Sequence, residues 1–395
     1  MPLVWAGRIE HLSDWRDALR PRRAAGIHER GRTILGEAGS GKSALVRRIA
    51  SEALDAGDWV TPQLRIPSGS DPIKRVASAL LTLADTAGLP AAREQRIGDL
   101  LRRVESVAAS GISLSVRAQD GPEPYSALTD LLIEIGRAAT KRHAVVMIHI
   151  DEVQNITDEH ARSQLLIALG DALTHEEPTP LPGGLSVGSA LPIAVYLTGL
   201  PEFADMAGAR SGATFARRFQ TTTLETIDDD LLTALHPFIS QGWPITTVDG
   251  GTDRIFMEPD AQRAIIELSC GEPFLFQLAG QCAWHASTDS IITAEHVRTG
   301  WSRQAVHEAE AHVQRILDRL PPREREFVEA MAELAPEERS LTNIANRLGH
   351  KRATDAGPTA QRLDLTRRII RRGRPYRFQH RAVGAYLTSE WPEVG

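Results

Sequence analysis

The stretch GRTILGEAGSGKSALVRRIASEAL, Gly31 to Leu54, decides how the chain is read. Its middle, GEAGSGKS (Gly36 to Ser43), fits the pattern G-x-x-x-x-G-K-[ST]. GRTIL before it is β-branched and apolar, as a short strand should be. In SALVRRIASEAL after it, Ala44, Leu45, Ile49 and Ala53 recur at helical spacing. Strand, glycine-rich loop and helix together predict a phosphate-binding loop. Its backbone N–H groups can wrap a β-phosphate, and the helix N-terminus adds partial positive charge. Lys42 has the reach for β- and γ-phosphates, and the Ser43 hydroxyl suits a Mg²⁺ ion. The candidate nucleotide-binding residues here are Gly36, Glu37, Ala38, Gly39, Ser40, Gly41, Lys42, Ser43 and Ala44.

Such a loop needs a partner strand that carries acid. AVVMIHIDEVQ (Ala144 to Gln154) is apolar and β-branched up to Asp151 and Glu152, the pattern of a strand buried on both faces. Asp151 is the candidate for the Mg²⁺ shell, and Glu152 the candidate base for an attacking water. The two motifs together predict binding of ATP or GTP with Mg²⁺, and the expected cofactors are ATP and Mg²⁺.

The rest of the chain bounds the function. It has 395 residues, 42% hydrophobic and 24% charged, which suits a soluble protein of two or three domains. The two cysteines, Cys270 and Cys282, lie in apolar helical text and make neither a disulfide framework nor a metal spacing. The N-terminus lacks a basic region followed by an apolar run, and no apolar stretch is long enough to span a bilayer. The expectation is a cytoplasmic protein without membrane attachment.

Charge is distributed unevenly. The net charge is −6, yet residues 347–381 hold eleven basic side chains and two acidic ones. That segment carries +9 and the remainder −15. Strands alternate with helices up to about Thr223, which predicts a parallel sheet. Trp59 to Pro67 and Ile193 to Gly199 are further strands, and Thr174 to Pro192 reads as a Pro/Gly/Ser loop. From Asp228 the pattern is helical, and RLPPRERE (Arg319 to Glu326) is a linker. Beyond it Leu341, Ile344, Ala345 and Leu348 define one helix with Ser340 as its cap. GPTAQRLDLTRRIIRRG (Gly357 to Gly373) predicts a second helix, with Arg367, Arg368, Arg371 and Arg372 on one side. A short strand and a closing helix follow, the order of a winged helix-turn-helix. A stripe of arginines is the footprint of phosphate contacts with DNA, or else a solvated or protein-binding face.

In this order of parts the sequence resembles the AAA+ ATPases, and within them the initiator-like group of origin-binding and transposition ATPases. WAGRIEHL (Trp5 to Leu12) resembles that group's box against the nucleotide base, which brings in Gly7 and Arg8. IDEVQN resembles its acidic strand. LTGLPEFADM through FARRF (Leu197 to Phe219) resembles its sensor strand and following helix. The resemblance implies that Thr198 is a polar sensor and that Arg217 or Arg218 is an arginine finger reaching a neighbouring protomer. GEPFLFQLAGQCAWHAS resembles the lid helix, but Phe274 stands where many of these proteins carry a sensor arginine. The implied fold is an α/β P-loop NTPase core with a parallel sheet (residues 1–225), a helical lid (226–318) and a C-terminal winged helix-turn-helix (319–395). The implied function is an ATPase whose nucleotide-dependent homo-oligomeric assembly controls docking on DNA. Two alternatives remain: a STAND-type signalling switch, and an ATP-binding adaptor for a nuclease, transposase or replication factor.

Overall fold

The computed structural model describes residues 5–88, 124–180, 182, 184–208, 215–227 and 230–393. Residues 209–214, inside the stretch that resembles the sensor region, lie outside that set. The chain divides into two compact units. The first comprises Arg8–Leu35 and Lys42–Thr222; the second comprises Pro2–Gly7, Gly36–Gly41 and Thr223–Gly395.

In the first unit residues 9–24 are helical. The sheet is then built from β1 (Gly31–Leu35), β2 (Trp59–Val60), β3 (Leu64–Arg65), β4 (Val146–Asp151), β5 (Ile193–Gly199) and β6 (Phe219–Thr223). Its six strands run in the order β2-β4-β5-β1-β6, with β3 also paired to β4. The pairs of β1 with β5, and of β4 with β2, β3 and β5, are parallel. Every residue of β1, β4 and β5 is buried, which explains their mostly apolar text, with Arg32, Thr33, His149, Asp151 and Thr198 as the buried polar or charged exceptions. Helices α1 (Lys42–Asp55), α2 (Pro72–Thr86), α3 (Pro124–Thr140) and α4 (Glu159–Thr174) supply the connections. Asp71 caps α2 by accepting from Ile73 N and Lys74 N, and Asp158 caps α4 through Ala161 N. One core joins Val76, Leu80, Leu131, Ile135, Ile148, Leu169 and Val195.

Two sequence expectations are corrected here. Trp59 to Pro67 is not one strand but two, because Pro62 between them has no N–H for the ladder. Thr174 to Pro192 is not an open loop. Glu176–Pro180 and Ser186–Ala190 pair as an antiparallel hairpin, with Pro178 opposite Gly188 in the middle of the ladder.

The second unit starts with α5 (Asp230–Gln241) and an antiparallel pair, β7 (Trp243–Thr246) and β8 (Thr252–Met257), which interrupts text expected to be helical. Helices α6 (Pro259–Leu268) and α7 (Pro273–Ala286) follow. β9 (Ile291–Ile292) then pairs parallel with β8, before α8 (Ala294–Gly300) and α9 (Val306–Asp318). After Pro321 come α10 (Pro322–Ala332), α11 (Leu341–Arg347) and α12 (Gly357–Leu365). A hairpin of β10 (Ile370–Arg371) with β11 (Arg377–Phe378) and a final helix α13 (Arg381–Thr388) complete it. In this stretch three helices precede the hairpin and one follows it. A single apolar core runs from Met257 and Leu275 through Trp301, Val313 and Phe327 to Leu363 and Val383.

The helix expected over Gly357 to Gly373 stops at Leu365. Arg368 adopts a left-handed backbone (φ 57°), and Ile369 N turns back to Leu363 O at 3.0 Å. Ile369 and Ile370 are both fully buried; leaving the helix lets Ile370 pair with Phe378 in an extended hairpin.

Candidate nucleotide site

In the first unit, polar side chains gather at the C-terminal ends of the central strands. Asp151 ends β4 and is buried. Its Oδ2 accepts from Ser43 Oγ at 2.8 Å and from Gln63 Nε2 at 2.5 Å. Its Oδ1 accepts from Thr198 Oγ1 at 2.5 Å and from the Glu152 N–H at 3.0 Å. Burial alone would raise the Asp151 carboxyl. Hydrogen bonds led by Thr198 and Ser43 outweigh it and hold the group below its ordinary value, as an anion. The parallel pairing of β4 with β5 is what brings Thr198, 47 residues on, to this carboxylate.

His149 and Gln63 join the cluster although the sequence motifs pass over them. His149 Nε2 lies 2.9 Å from Thr198 Oγ1. The single Thr198 proton goes to Asp151, so His149 must donate from Nε2. Burial pushes the His149 imidazole down to about 4, which leaves it neutral at pH 7. A polar residue inside an otherwise apolar buried strand was the available signal for His149. Gln63 follows Pro62 between β2 and β3 and is found only from three dimensions.

Glu152 follows with a left-handed backbone, φ 59°, costly for a residue with a Cβ. Its Oε2 accepts from Asn155 Nδ2 at 3.1 Å, and the other amide proton goes to Ile66 O at 3.0 Å. The carboxylate is thus fixed beyond the strand end and only partly buried. Lys42 and Ser43 open α1, followed by Ala44.

The loop Gly36–Gly41 groups with the second unit. Gly39 and Gly41 have φ of +81° and +90°, a conformation that L side chains seldom adopt. A Cβ on Gly39 would lie 2.6 Å from Phe274 Cβ, so Phe274 rests on the loop backbone. Pro273 lies within 4 Å of such an atom on Gly41. Glu37 forms an ion pair with Arg319, the residue that ends α9. Gly7 is also left-handed and sits against Ile227, whose N–H donates to Gly271 O at 2.7 Å. Arg8 continues the left-handed turn.

Of the two candidate finger residues, Arg218 is ion-paired with Asp171 of its own chain, while Arg217 is exposed without a partner among the described residues.

The expected stripe of Arg367, Arg368, Arg371 and Arg372 does not exist as one helix face, because α12 ends before it. Arg367 is buried and donates Nε–H to Glu324 at 2.9 Å. Arg368 lies 3.5 Å from Glu225. Arg372 donates to Asp364 at 2.8 Å. Arg371 is exposed on β10, directly across the ladder from Arg377. With Arg374 at the tip, these three have no ion-pair partner among the described residues. Like charges opposed on a two-residue ladder are destabilising unless an outside anion neutralises them.

Among the described residues no helix is long and apolar enough to cross a membrane, and no group of three or more His, Cys, Asp or Glu could hold a metal by itself.

Residues 4–182 match the model of an AAA ATPase domain, and residues 311–373 match one described as a domain of unknown function. No curated protein matches the chain. Similar solved structures include the Aeropyrum pernix ORC2 protein in its ADP form, at 15% identity over 100% of this chain and 96% of that one (TM-score 0.48). Another is the Aeropyrum pernix ORC1 protein in complex with DNA, at 16% identity over 98% and 94% (TM-score 0.41). A third is the Thermotoga maritima RuvB Holliday junction branch migration motor, at 14% identity over 94% and 92% (TM-score 0.39). Residues 4–182, which hold both the phosphate loop and the acidic strand, therefore carry an AAA ATPase domain built on the parallel sheet of a P-loop fold.

Proposed function

We propose that the chain binds ATP with Mg²⁺ at Gly36–Ser43, hydrolyses it, and uses the nucleotide state to control assembly and docking on DNA. The observation that carries the reading is the 2.8 Å contact of Ser43 with Asp151, which sets a loop hydroxyl beside a buried anionic carboxylate. Two hard oxygen donors suit Mg²⁺, which takes its remaining ligands from water and phosphate. When bound, the ion neutralises charge developing on the phosphates. Lys42 adds an ammonium to the same task. Glu152, held by Asn155, accepts a proton from the attacking water, and Thr198 keeps Asp151 oriented. Arg217 is the better finger candidate, because Arg218 is engaged within its own chain. Hydrolysis then needs a neighbouring protomer.

DNA contact moves from the expected stripe to the β10–β11 hairpin. Arg371, Arg374 and Arg377 offer three unneutralised guanidinium groups at an exposed tip. The test is duplex DNA binding by the full chain with Mg²⁺ and ATP, ADP or no nucleotide. Binding that changes with nucleotide supports the reading; no DNA affinity at low salt in any state rejects the DNA part.

One observation favours a signalling switch as a second reading. Within the second unit the C-terminal helices are tied to the turn before α7. Arg381 donates to Cys270 O at 3.2 Å, and Glu272 Oε2 accepts from His312 at 2.9 Å with His380 near its Oε1 at 3.3 Å. A C-terminal segment held this way suits a closed state that nucleotide exchange releases.

A further inference from the structure

The residue after Pro273 in the α7 turn is uncharged: Phe274 lies over Gly39 and stacks on His312, ring centroids 4.6 Å apart. A cation reaches the loop from another place. Arg319 ends α9, and its guanidinium pairs with the Glu37 carboxylate, inside the phosphate-binding motif. The nearest acid on its own helix, Asp318, is already taken by Arg325 at 3.0 Å and by Gln314 at 2.6 Å. Arg319 Nε–H is buried and has no hydrogen-bond partner among the described residues. A buried, unsatisfied donor on a charged group is costly, and it is offered beside a loop that binds anions.

We infer that Arg319 is a specificity-determining residue of the nucleotide site, which favours a nucleoside triphosphate over a diphosphate. The inference rests on the ATP-binding reading above. Glu37 holds the guanidinium against the loop while no phosphate is there. With nucleotide bound, the unused donors of the planar fork turn to the terminal phosphate, whose charge distinguishes the two ligands. The same movement carries nucleotide state to Leu320 and Pro321, where the C-terminal helices begin.

The experiment uses the full chain carrying Glu152→Gln, so that ATP persists, and measures Mg·ATP and Mg·ADP affinities by calorimetry. Arg319→Ala is expected to weaken ATP about tenfold and ADP less than threefold, because one charge-assisted contact is lost only with ATP. Arg319→Lys, which keeps charge but loses the Nε–H, should fall between. Glu37→Gln should leave the ATP/ADP ratio at or above that of the parent, since it frees the guanidinium. Equal weakening of ATP and ADP by the Arg319 variants, or no change in either, overturns the inference and makes the pair a structural one. If Arg319→Ala does not fold, the ratio in Arg319→Lys decides by the same criterion. If the parent binds neither nucleotide, and Lys42→Ala leaves that unchanged, the ATP-binding reading itself fails, and this inference with it.

Discussion

Arg367 donates its Nε–H to Glu324 at 2.9 Å, and both side chains are withdrawn from solvent, 5% and 1% exposed. Arg362 donates to the other Glu324 oxygen at 2.8 Å. The carboxylate of α10 therefore clamps the end of α12 from two sides, and one of the two arginines is unavailable to any outside anion. Arg367→Ala should destabilise the fold by about 3 kcal/mol, the low end for breaking a buried pair, since Arg362 remains. Denaturant unfolding measures this; a change below about 0.5 kcal/mol would contradict the clamp.

The hairpin arginines should behave in the opposite way. Replacing Arg371 and Arg377 by alanine should leave stability unchanged or slightly raised, because two opposed like charges are removed. If the hairpin meets DNA phosphates, the log–log salt slope of binding should shrink by about 2, with affinity lost alike for all sequences. An unchanged slope would take DNA away from this hairpin.

Hydrolysis separates Lys42 from Glu152. Lys42→Ala should abolish nucleotide binding. Glu152→Gln should still bind ATP while turnover falls at least about a hundredfold, the scale of a lost general base. Wild-type turnover in Glu152→Gln would show that Asn155 holds a carboxylate with another role.

Arg217 gives a test of assembly. Activity per chain should rise with protein concentration, and mixing Lys42→Ala with Arg217→Ala should restore part of it, while Arg218→Ala restores little because Asp171 already engages that residue. Strict proportionality with no restoration argues for a site complete within one chain.

Acid should loosen the second unit through Glu272. Burial by itself would raise this carboxyl, but the charge of His380 and the hydrogen bond and charge of His312 outweigh it and hold it below its ordinary 4.5. A carboxyl with a depressed native value contributes stability that is complete above its unfolded value and is lost as pH falls through the native one. Wild-type stability should therefore decline from about pH 4.5 downward, and Glu272→Gln should be less stable at neutral pH with a shallower acid decline. Parallel pH profiles for the two proteins would rule out this contribution.

Sequence alone determined the parts whose signal is local. GEAGSGKS needs its glycines for left-handed backbone at Gly39 and Gly41, and a strand buried on both faces is mostly apolar, so β4 and β5 declare themselves. Caps such as Asp71, Asp158 and Ser340 are equally local. Tertiary structure decided what depends on distant partners. Arginine text looks the same whether Glu324 waits across the core or solvent does, so the helical stripe of Arg367, Arg368, Arg371 and Arg372 dissolved into one buried clamp, two surface pairs and one exposed group. Pairing of β4 with β5 enlisted Thr198 and His149 around Asp151. Chain folding over 282 residues set Arg319 against Glu37. No periodicity encodes such a contact, because its energy depends on which charges burial leaves unpaired, and that is settled only when the whole chain has packed.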